Sequence, residues 1–269
     1  MIFRSLFFIF VFVPFLIVII PLQALIVRLR LPFWYAVPRM FHRLGCVFLG
    51  LRVRVVGEVA TGRPTLLVSN HISWADIIAI GSVTPVIFVA KREVSEWPFV
   101  RIMAYLQKTV FVDRTRRSGT GRTAKAMGQA MARGDNVVLF AEGQSDIGTH
   151  VLPFRSALVG AAQHAMEAAG AKEVNIQPLT IAYTRMQGLP ISRNERSLVS
   201  WDKSKSVKQN IRHILSGPVK DVTVAFGTPQ VLREGVDRKT ITKAAENEVR
   251  ATLVALNRTG SVPVKSAQV

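Results

Sequence analysis

The sequence has a single cysteine, Cys46, among its 269 residues. One thiol excludes an intramolecular disulfide framework and a cysteine-rich zinc site. The sequence also lacks the G-x-S-x-G motif of a serine nucleophile elbow and the H-E-x-x-H motif of zinc hydrolases. Serine-nucleophile and zinc-dependent hydrolysis therefore have no support, and we predict neither a metal nor a cofactor.

Acidic residues are scarce, because 17 Asp and Glu stand against 35 Lys and Arg, giving a formal net charge of +18. Such an excess indicates an anionic partner: a membrane surface, a phosphorylated substrate, an acidic carrier protein or nucleic acid. The basic residues are scattered over predicted loops and helix faces, without the interleaved aromatic residues of a base-stacking surface. We therefore expect an anionic membrane surface and no nucleic-acid partner.

Charge is absent from residues 5–27, a run of 23 residues rich in Phe, Ile, Leu and Val. About 20 apolar residues span the hydrocarbon layer of a bilayer. The run exceeds the apolar part of a usual signal peptide and no small-residue cleavage pattern follows it, so we predict a retained membrane anchor. Pro14 and Pro21 would kink it, which leaves both a spanning and a dipping segment open. The arginines that follow, at 28, 30, 39 and 43, predict an inner (cytoplasmic) membrane protein whose body faces the cytoplasm.

A second helix is predicted directly after the anchor. Apolar residues recur at helical spacing from Val37 to Leu51, with Arg39, His42 and Arg43 on the opposite side. This helix could lie in the membrane interface or dock its apolar stripe on the folded core, and the sequence favours neither. We divide the chain into an anchor and amphipathic helix at 1–50, a folded domain at 51–258 and a polar tail at 259–269.

Strand-like and helix-like runs alternate from residue 52 onward. This alternation predicts an α/β fold with a layered, mainly parallel sheet and flanking helices, preceded by the membrane-associated helix pair. The predicted strands are 52–56, 65–69, 86–90, 109–112, 137–140, 176–183 and 222–226. The predicted helices are 99–106, 121–132, 157–168, 207–215 and 240–256.

The segment Ser69-Asn70-His71-Ile72-Ser73-Trp74-Ala75-Asp76 lies at a predicted strand-to-helix junction. If His71 lies in the loop and Asp76 in the first helical turn, the carboxylate can fold back onto the imidazole. Such a pair can serve as a general base, because the carboxylate keeps one ring nitrogen protonated and leaves the other free to accept a proton. The alternative is structural, with Ser73 as the N-cap and Asp76 as the acidic residue of a capping box.

Three further stretches place polar or special residues next to predicted strands. Arg114 follows the strand at 109–112 beside further arginines, which offer a fork for phosphate or carboxylate or form only an exposed basic loop. Glu142 and Gly143 follow the strand at 137–140, at the carboxyl end where α/β sheets hold ligands. Pro178 opens a strand-like run and is typical of a strand's start or edge.

In this order the motifs resemble the lysophosphatidic-acid acyltransferase superfamily of glycerolipid acyltransferases, over roughly residues 52–227. The N-H-x-x-x-x-D block is matched by Asn70, His71 and Asp76, and the proline block by Pro178. The V-D-R block is matched at 112–114 and the F-P-E-G-T-R block at 140–143. The resemblance implies that His71, oriented by Asp76, deprotonates a lipid hydroxyl that attacks the thioester of acyl-CoA or acyl carrier protein.

The same resemblance implies roles for the remaining blocks. Glu142 would shape the acceptor site, together with Gly143, and Arg114 would bind the anionic group of the acceptor. The sequence departs from the family pattern after Gly143, where Gln144-Ser145-Asp146 replaces the usual Thr-Arg. Either another arginine, at 114, 116 or 155, binds phosphate instead, or the acceptor head group is not a phosphomonoester.

The second account agrees with a further likeness to the branch that acylates lyso-ornithine lipid. The runs at 88–91, 97–98, 107–112 and 152–158 carry it, including Arg155. Asp146 near a cationic head group would then make electrostatic sense. We therefore expect a membrane-bound O-acyltransferase acting on lyso-ornithine lipid. The alternatives are 1-acyl-sn-glycerol-3-phosphate as acceptor, or a basic membrane-binding protein without catalysis.

Overall fold

The structure, a computed structural model, describes residues 6–112, 117–157, 159–160, 173–201, 206–233 and 235–262. Strands in these residues form one sheet with the order β1-β8-β6-β2-β5-β3-β4, and β7 and β9 also pair with β6. The strands are β1 Leu51–Val56, β2 Thr65–Ser69, β3 Ile87–Lys91, β4 Val110–Val112, β5 Val137–Phe140, β6 Glu173–Met186, β7 Leu189–Pro190, β8 Lys220–Phe226 and β9 Gln230–Arg233.

Helices cover both faces of this sheet and precede it. They are α1 Val13–Arg28, α2 Ala36–Leu49, α3 Ala75–Val83, α4 Pro98–Leu106, α5 Arg117–Ala132, α6 Arg196–Val199, α7 Val207–Ser216 and α8 Arg238–Thr259. A π-helical segment, Phe8–Phe12, leads into α1, and a 3-10 helix, Arg92–Glu96, precedes α4. Of the helix predicted at 157–168, only residues 157, 159 and 160 are among those described.

The sheet is mostly parallel, as the sequence predicts. The pairs β1–β8, β2–β5, β2–β6, β3–β5 and β3–β4 are parallel, whereas β7, β8 and β9 run antiparallel to β6. Strands β2 and β5 end level with each other, because Ser69 pairs with Phe140. The loops after both strands therefore leave the same edge of the sheet, where an α/β protein holds its ligands.

Pro178 corrects one expectation, since it lies in the interior of β6 rather than at a strand's start or edge. On one side, β9 pairs with β6 up to Ile176 and β8 pairs from Leu179 onward. Pro178 falls in the break between these two strands, where its carbonyl accepts a hydrogen bond from the amide of Gly227 at 2.8 Å. At this position neither neighbouring strand offers a partner for a backbone N–H of residue 178. Proline, which has no N–H, therefore costs the sheet no hydrogen bond and is tolerated.

Helix α1 packs one face against the folded domain and exposes the other. Ile19, Gln23 and Ile26 are buried, whereas Ile17 and Leu25 are more than half exposed. The amide of Gln23 donates to the carbonyls of Trp34 and Leu106, both at 2.9 Å, and so joins α1 to the end of α4. Within the described residues one helical segment, Phe8–Arg28, is long and apolar enough to cross a membrane.

Helix α2 packs on α3 through a face that the sequence pattern assigned to the polar side. His42 is 2% exposed because Gly81 of α3 leaves room for its ring. Burial lowers the pKa of His42 to about 4, although the nearby Gln107 side chain acts to raise it. Met40 and Val47, predicted in the apolar stripe, are exposed instead. The docked interpretation of α2 therefore describes its buried face, which shares Val37 with the predicted stripe and differs from it at His42, Met40 and Val47.

Candidate active site

The sequence predicts that the Asp76 carboxylate folds back onto the His71 ring, and the structure has this contact. β2 ends at Ser69 and α3 begins at Ala75, so the histidine lies in the connecting loop. The Nδ1 atom of His71 lies 2.8 Å from Oδ2 of Asp76. A carboxylate only accepts, so Nδ1 carries the proton and Nε2 is the basic nitrogen of a neutral ring.

The Asp76 carboxylate also holds the start of α3. Its Oδ2 atom accepts hydrogen bonds from the backbone amides of Ile72 at 2.7 Å and Ser73 at 2.9 Å. The N-cap position is Trp74, with no side-chain cap. Asp76 therefore has part of the structural role considered above, because its carboxylate accepts hydrogen bonds from backbone amides just before α3. The same contacts fix the carboxylate that orients His71.

Tyr183 completes the environment of Asp76, and the motif analysis missed it. Its hydroxyl donates to Oδ1 of Asp76 at 2.9 Å, and its side chain is fully buried on β6. Burial and the nearby Asp76 charge raise the pKa of Tyr183 well above its ordinary value. The sequence signal for this contact was Tyr183 at the end of the strand-like run 176–183, since a buried tyrosine hydroxyl needs a hydrogen-bond partner.

The His71 ring is held flat against an aromatic side chain. Its centroid lies 4.0 Å from that of Phe140, with 20° between the ring planes. The side chain is 16% exposed, and within the described residues Nε2 makes no hydrogen bond. The ring is thus fixed on two sides while Nε2 stays available to a ligand.

Asn70 does not face the open side of the site. Its Oδ1 accepts from the amide of Ile181 at 2.9 Å, and its Nδ2 donates to the carbonyl of Ile181 at 3.0 Å. The side chain thus pairs with the backbone of β6 just beyond the point where β2 ends. Both polar atoms are occupied and the residue is 1% exposed, so the geometry favours positioning of the His71 loop over contact with substrate.

Glu142 and Asp146 present acidic groups beside the histidine. Burial raises the pKa of Glu142 to about 8, and the nearby charges of Asp146 and Asp76 act in the same direction. The backbone amides of Leu152 and His71 act in the opposite direction and lower this pKa. The Oε1 atom of Glu142 accepts from the Leu152 amide at 3.3 Å. The buried Oε2 of Glu142 and Oδ2 of Asp146 have no hydrogen-bond partner among the described residues, although Nε2 of His150 lies 3.6 Å from Oδ2 of Asp146, within ion-pair distance. Two carboxylate oxygens are therefore left with acceptor capacity near His71.

The loop after β5 is tied to the His71 loop and to a later segment. Gly143 has a φ of 77°, which favours glycine, and lets the chain turn out of β5. The Asp146 amide donates to the His71 carbonyl at 2.9 Å, and the Ser145 hydroxyl donates to the Trp201 carbonyl. The Trp201 amide in turn donates to the Ile72 carbonyl at 2.9 Å. Ser145 thus braces the loop at the position where the family pattern has an arginine.

The remaining predicted site residues contribute less to this cluster. The Arg155 side chain is exposed and forms no ion pair within the part of the chain that the structure describes, although its amide donates to the Ala141 carbonyl at 2.9 Å. Pro178 is buried within the sheet, so we assign it no substrate contact. Arg114 and Arg116 lie outside the described residues. Among the described residues no group of three or more His, Cys, Asp or Glu is placed to hold a metal ion.

Comparison with known proteins identifies the family of this chain. The family model described as Acyltransferase matches residues 52–182. The chain is 43% identical over 235 residues to a lyso-ornithine lipid O-acyltransferase of Brucella abortus, covering 87% of this chain and 88% of that protein. It is 36% identical over 236 residues to a lyso-ornithine lipid O-acyltransferase of Rhizobium meliloti, covering 88% of this chain and 81% of that protein.

A solved structure has the same fold. The crystal structure of the 1-acyl-sn-glycerophosphate acyltransferase of Thermotoga maritima superposes with a TM-score of 0.61, covering 84% of this chain and 81% of that chain. The two sequences are 20% identical, so this likeness establishes the fold alone. It agrees with the mostly parallel sheet, its flanking helices and the preceding apolar helix.

Proposed function

Since this chain belongs to the acyltransferase family and is a lysolipid acyltransferase, we propose that its acceptor is lyso-ornithine lipid and its product ornithine lipid. The donor in this proposal is acyl carrier protein or acyl-CoA, both of which present the acyl group as a thioester. Family membership sets aside the alternative of a basic membrane-binding protein without catalysis.

His71 acts as the general base in the proposed reaction. Its Nε2 atom accepts the proton of the acceptor's free hydroxyl while that oxygen forms a bond to the thioester carbonyl carbon. The carbon–sulfur bond then breaks, and the proton on Nε2 passes to the departing thiolate. The products are an ester and a thiol, and no acyl group is attached to the protein at any step. Asp76 supports the ring because its Oδ2 atom, 2.8 Å from Nδ1, accepts the hydrogen bond of the Nδ1–H group and stabilises the transient imidazolium.

The acidic groups beside His71 are the observation that carries the choice of acceptor. Oε2 of Glu142 and Oδ2 of Asp146 are buried and lack hydrogen-bond partners in the described residues, and the nearest cationic group to Oδ2, the exposed His150 ring, lies 3.6 Å away. The ammonium groups of ornithine would supply the missing donors, and a positive charge would favour ionisation of Glu142. A phosphomonoester would instead bring its negative charge towards these carboxyl groups, which is unfavourable in a partly buried site.

A 1-acyl-sn-glycerol-3-phosphate acceptor is the second candidate, and Arg155 is the observation that favours it. This guanidinium is exposed, follows the loop that carries Asp146, and has no ion-pair partner within the described residues. It could bind a phosphate through paired N–H groups. The two acceptors differ in the sign of the charge that the site must hold, which makes them separable by experiment.

We propose that the protein acts at the inner (cytoplasmic) membrane with its active site facing the cytoplasm. The half-exposed, apolar helix α1 supports membrane attachment. Its other face packs along the folded domain, which favours a helix that dips into the cytoplasmic leaflet beside the domain over one that crosses the bilayer apart from it. In this proposal residues 1–50 form the membrane anchor, 51–258 the catalytic domain and 259–269 a polar tail.

The test is a panel of lysolipids offered to the purified full-length protein in vesicles, with labelled acyl carrier protein and labelled acyl-CoA as separate donors. We expect a product with the mass of ornithine lipid, and no such product from the His71→Ala variant. Acylation of 1-acyl-sn-glycerol-3-phosphate with lyso-ornithine lipid left unmodified would reverse the choice of acceptor.

A further inference from the structure

Helix α4 carries a row of large apolar side chains that face solvent. Phe99 is 54% exposed, Ile102 47% and Tyr105 63%. A spacing of three residues turns successive side chains by about 60°, so all three fall within an arc of about 120°. Trp97, at the N-cap position, adds a fourth side chain that is 39% exposed. We call these four residues the α4 face; a contiguous apolar face of this kind marks an interaction surface.

The α4 face adjoins the apolar N-terminal segment. The Gln23 amide joins α1 both to the carbonyl of Leu106, at the end of α4, and to the carbonyl of Trp34. The ammonium group of Lys108 lies 4.2 Å from the centre of the Trp34 ring. These contacts hold α4, α1 and the turn between α1 and α2 together. Exposed apolar residues continue along α1 and that turn: Leu22, Leu25, Leu29, Phe33 and Tyr35.

The surroundings of the α4 face suit the surface of an anionic leaflet. Lys91 and Arg92 precede it, Arg101 lies beside Tyr105 on the helix, and all three are exposed. Glu93 and Glu96, which also precede it, are exposed as well, so basic residues exceed acidic ones by three to two among these five. Basic side chains around an apolar patch are attracted to anionic lipid head groups. Trp and Tyr are also the residues that concentrate at the boundary between lipid and water. A protein partner would have to match the same apolar face and carry acidic groups around it.

The position of α4 relates this face to the active site. β3 runs parallel to β5 and ends at Lys91, so the chain leaves β3 at the edge of the sheet that carries His71. Helix α4 begins seven residues later, at Pro98. Because β4 runs parallel to β3, α4 returns the chain to the opposite edge, so Trp97 and Phe99 lie towards the active-site side and Tyr105 away from it. The lysolipid acceptor resides in a leaflet by virtue of its acyl chain, so a membrane contact at the Trp97 end of the face would place the acceptor on the side of His71.

We propose that the α4 face inserts into the cytoplasmic leaflet and forms a second membrane contact besides the N-terminal helices. This inference rests on the proposed function, because it assumes an acceptor that is held in the membrane. The face orients the active-site edge of the sheet towards the leaflet, and α1 keeps the protein attached.

The test places a small fluorescent label on the full-length protein at Ile102→Cys. A matched control carries the label at Val254→Cys on α8, where the native side chain is 37% exposed. Cys46 is 7% exposed, and wild-type protein taken through the same labelling serves as the blank. Quenching is measured with vesicles of phosphatidylglycerol and phosphatidylcholine whose acyl chains carry bromine.

We expect strong quenching of the label at position 102 and little at position 254. An unquenched label at 102 on protein that sediments with the vesicles would overturn the proposal. A change in the label's emission that grows with protein concentration in the absence of vesicles would also overturn it, because the face would then contact a second copy of the chain.

Activity provides a second measurement. Combined substitution Phe99→Ser, Ile102→Ser and Tyr105→Ser should raise the apparent KM for lysolipid in vesicles several-fold. With the same lysolipid in detergent micelles, kcat should be unchanged, because no residue of the site is altered. Equal kinetics of variant and wild type in vesicles would contradict the proposal. Quenching does not require turnover, so an insertion that persists without lyso-ornithine acylation would separate failure of the proposed function from failure of this inference.

Discussion

Asp76 is held by four hydrogen-bond donors, which come from His71, Tyr183 and the backbone amides of Ile72 and Ser73. Its side chain is fully buried, so these donors replace the water that would otherwise solvate the carboxylate. The arrangement keeps one oxygen directed at Nδ1 of His71. The orientation of the proposed base, His71, therefore depends on groups that contact Asp76 and not the substrate.

Tyr183→Phe tests this dependence. The substitution removes one donor to Asp76 and keeps the ring in place, so we expect kcat to fall by roughly tenfold with little change in KM. Tyr35→Phe, at a residue 41% exposed, is the matched control and should leave both constants unchanged. If Tyr183→Phe has the kcat and the thermal unfolding of wild type, Tyr183 does not help to position Asp76 and His71.

Glu142 makes stability depend on pH in a defined direction. Burial raises its pKa from 4.5 to about 8, so the unfolded chain loses this proton at lower pH than the folded protein does. The folded state therefore loses stability as pH rises from about 4.5 to about 8. Glu142→Gln should remove this loss, which is on the order of a few kcal/mol. Denaturant unfolding of both proteins at about pH 5.5 and about pH 8.5 measures it, and an equal fall in both would contradict the assignment.

Asp146→Asn tests the sign of charge that the acceptor site prefers. We expect the KM for lyso-ornithine lipid to rise by roughly tenfold, because a charge-assisted contact to a cationic head group is weakened. The KM for 1-acyl-sn-glycerol-3-phosphate should fall. Asp135→Asn, at the amino-terminal edge of the sheet, serves as the control. A lower KM for lyso-ornithine lipid in Asp146→Asn would count against a cationic contact at this carboxylate.

At the level of elements, the sequence predicts the strands next to the site closely. The buried runs at 65–69 and 137–140 coincide with β2 and β5. A short, mainly apolar run bounded by polar or glycine-containing turns is typical of a buried strand, so the sequence defines both ends of these elements. The position of Pro178 and the burial of His42 could not be read from the chain. The first depends on where β8 and β9 meet β6, and the second on a glycine in another helix.

Gly81→Ala tests the packing of α2 on α3. A methyl group at this position would lie 2.4 Å from Cδ2 of His42, so the ring must move. We expect the free energy of unfolding to fall by about 1–3 kcal/mol, the usual cost of overpacking. Adding His42→Ala should make the Gly81→Ala change much less costly, since the clashing ring is gone. If Gly81→Ala costs as much stability in the His42→Ala background as in wild type, the clash with the His42 ring is not the cause of the destabilisation.

At the level of the whole molecule, α1 has one exposed and one buried apolar face, and we expect each to have a separate task. Ile17→Ser with Leu25→Ser alters residues that are 69% and 52% exposed, and should weaken retention on vesicles without lowering the thermal stability of the protein in detergent. Ile19→Ser with Ile26→Ser alters residues that are 8% and 6% exposed, and should cost several kcal/mol of folding stability. Sedimentation with vesicles and thermal unfolding separate the two effects. If both pairs of substitutions change vesicle retention and thermal stability to the same extent, the two faces of α1 do not have separate roles.

The family motifs predict the contact between His71 and Asp76, but not the assembly around it. Tyr183, Trp201 and Asn70 meet the His71 loop through contacts between residues more than 100 positions apart or through backbone pairing. Such contacts depend on strand order, which a single sequence does not specify. The sequence also left the membrane attachment open between spanning and dipping, and the packing of α1 along the domain is what favours the second.

The central claim is that His71 activates the lipid hydroxyl for direct attack on the thioester, and single-turnover acyl transfer tests it most directly. Full-length wild type and His71→Ala would be mixed with labelled acyl donor and lyso-ornithine lipid in vesicles, with product lipid and intact protein followed by mass. We predict that wild type forms ornithine lipid without an acylated protein at any time, and that His71→Ala is slower by at least about 100-fold. Transfer by His71→Ala within tenfold of wild type, or an acyl-protein that forms and decays at the rate of turnover, would contradict the account.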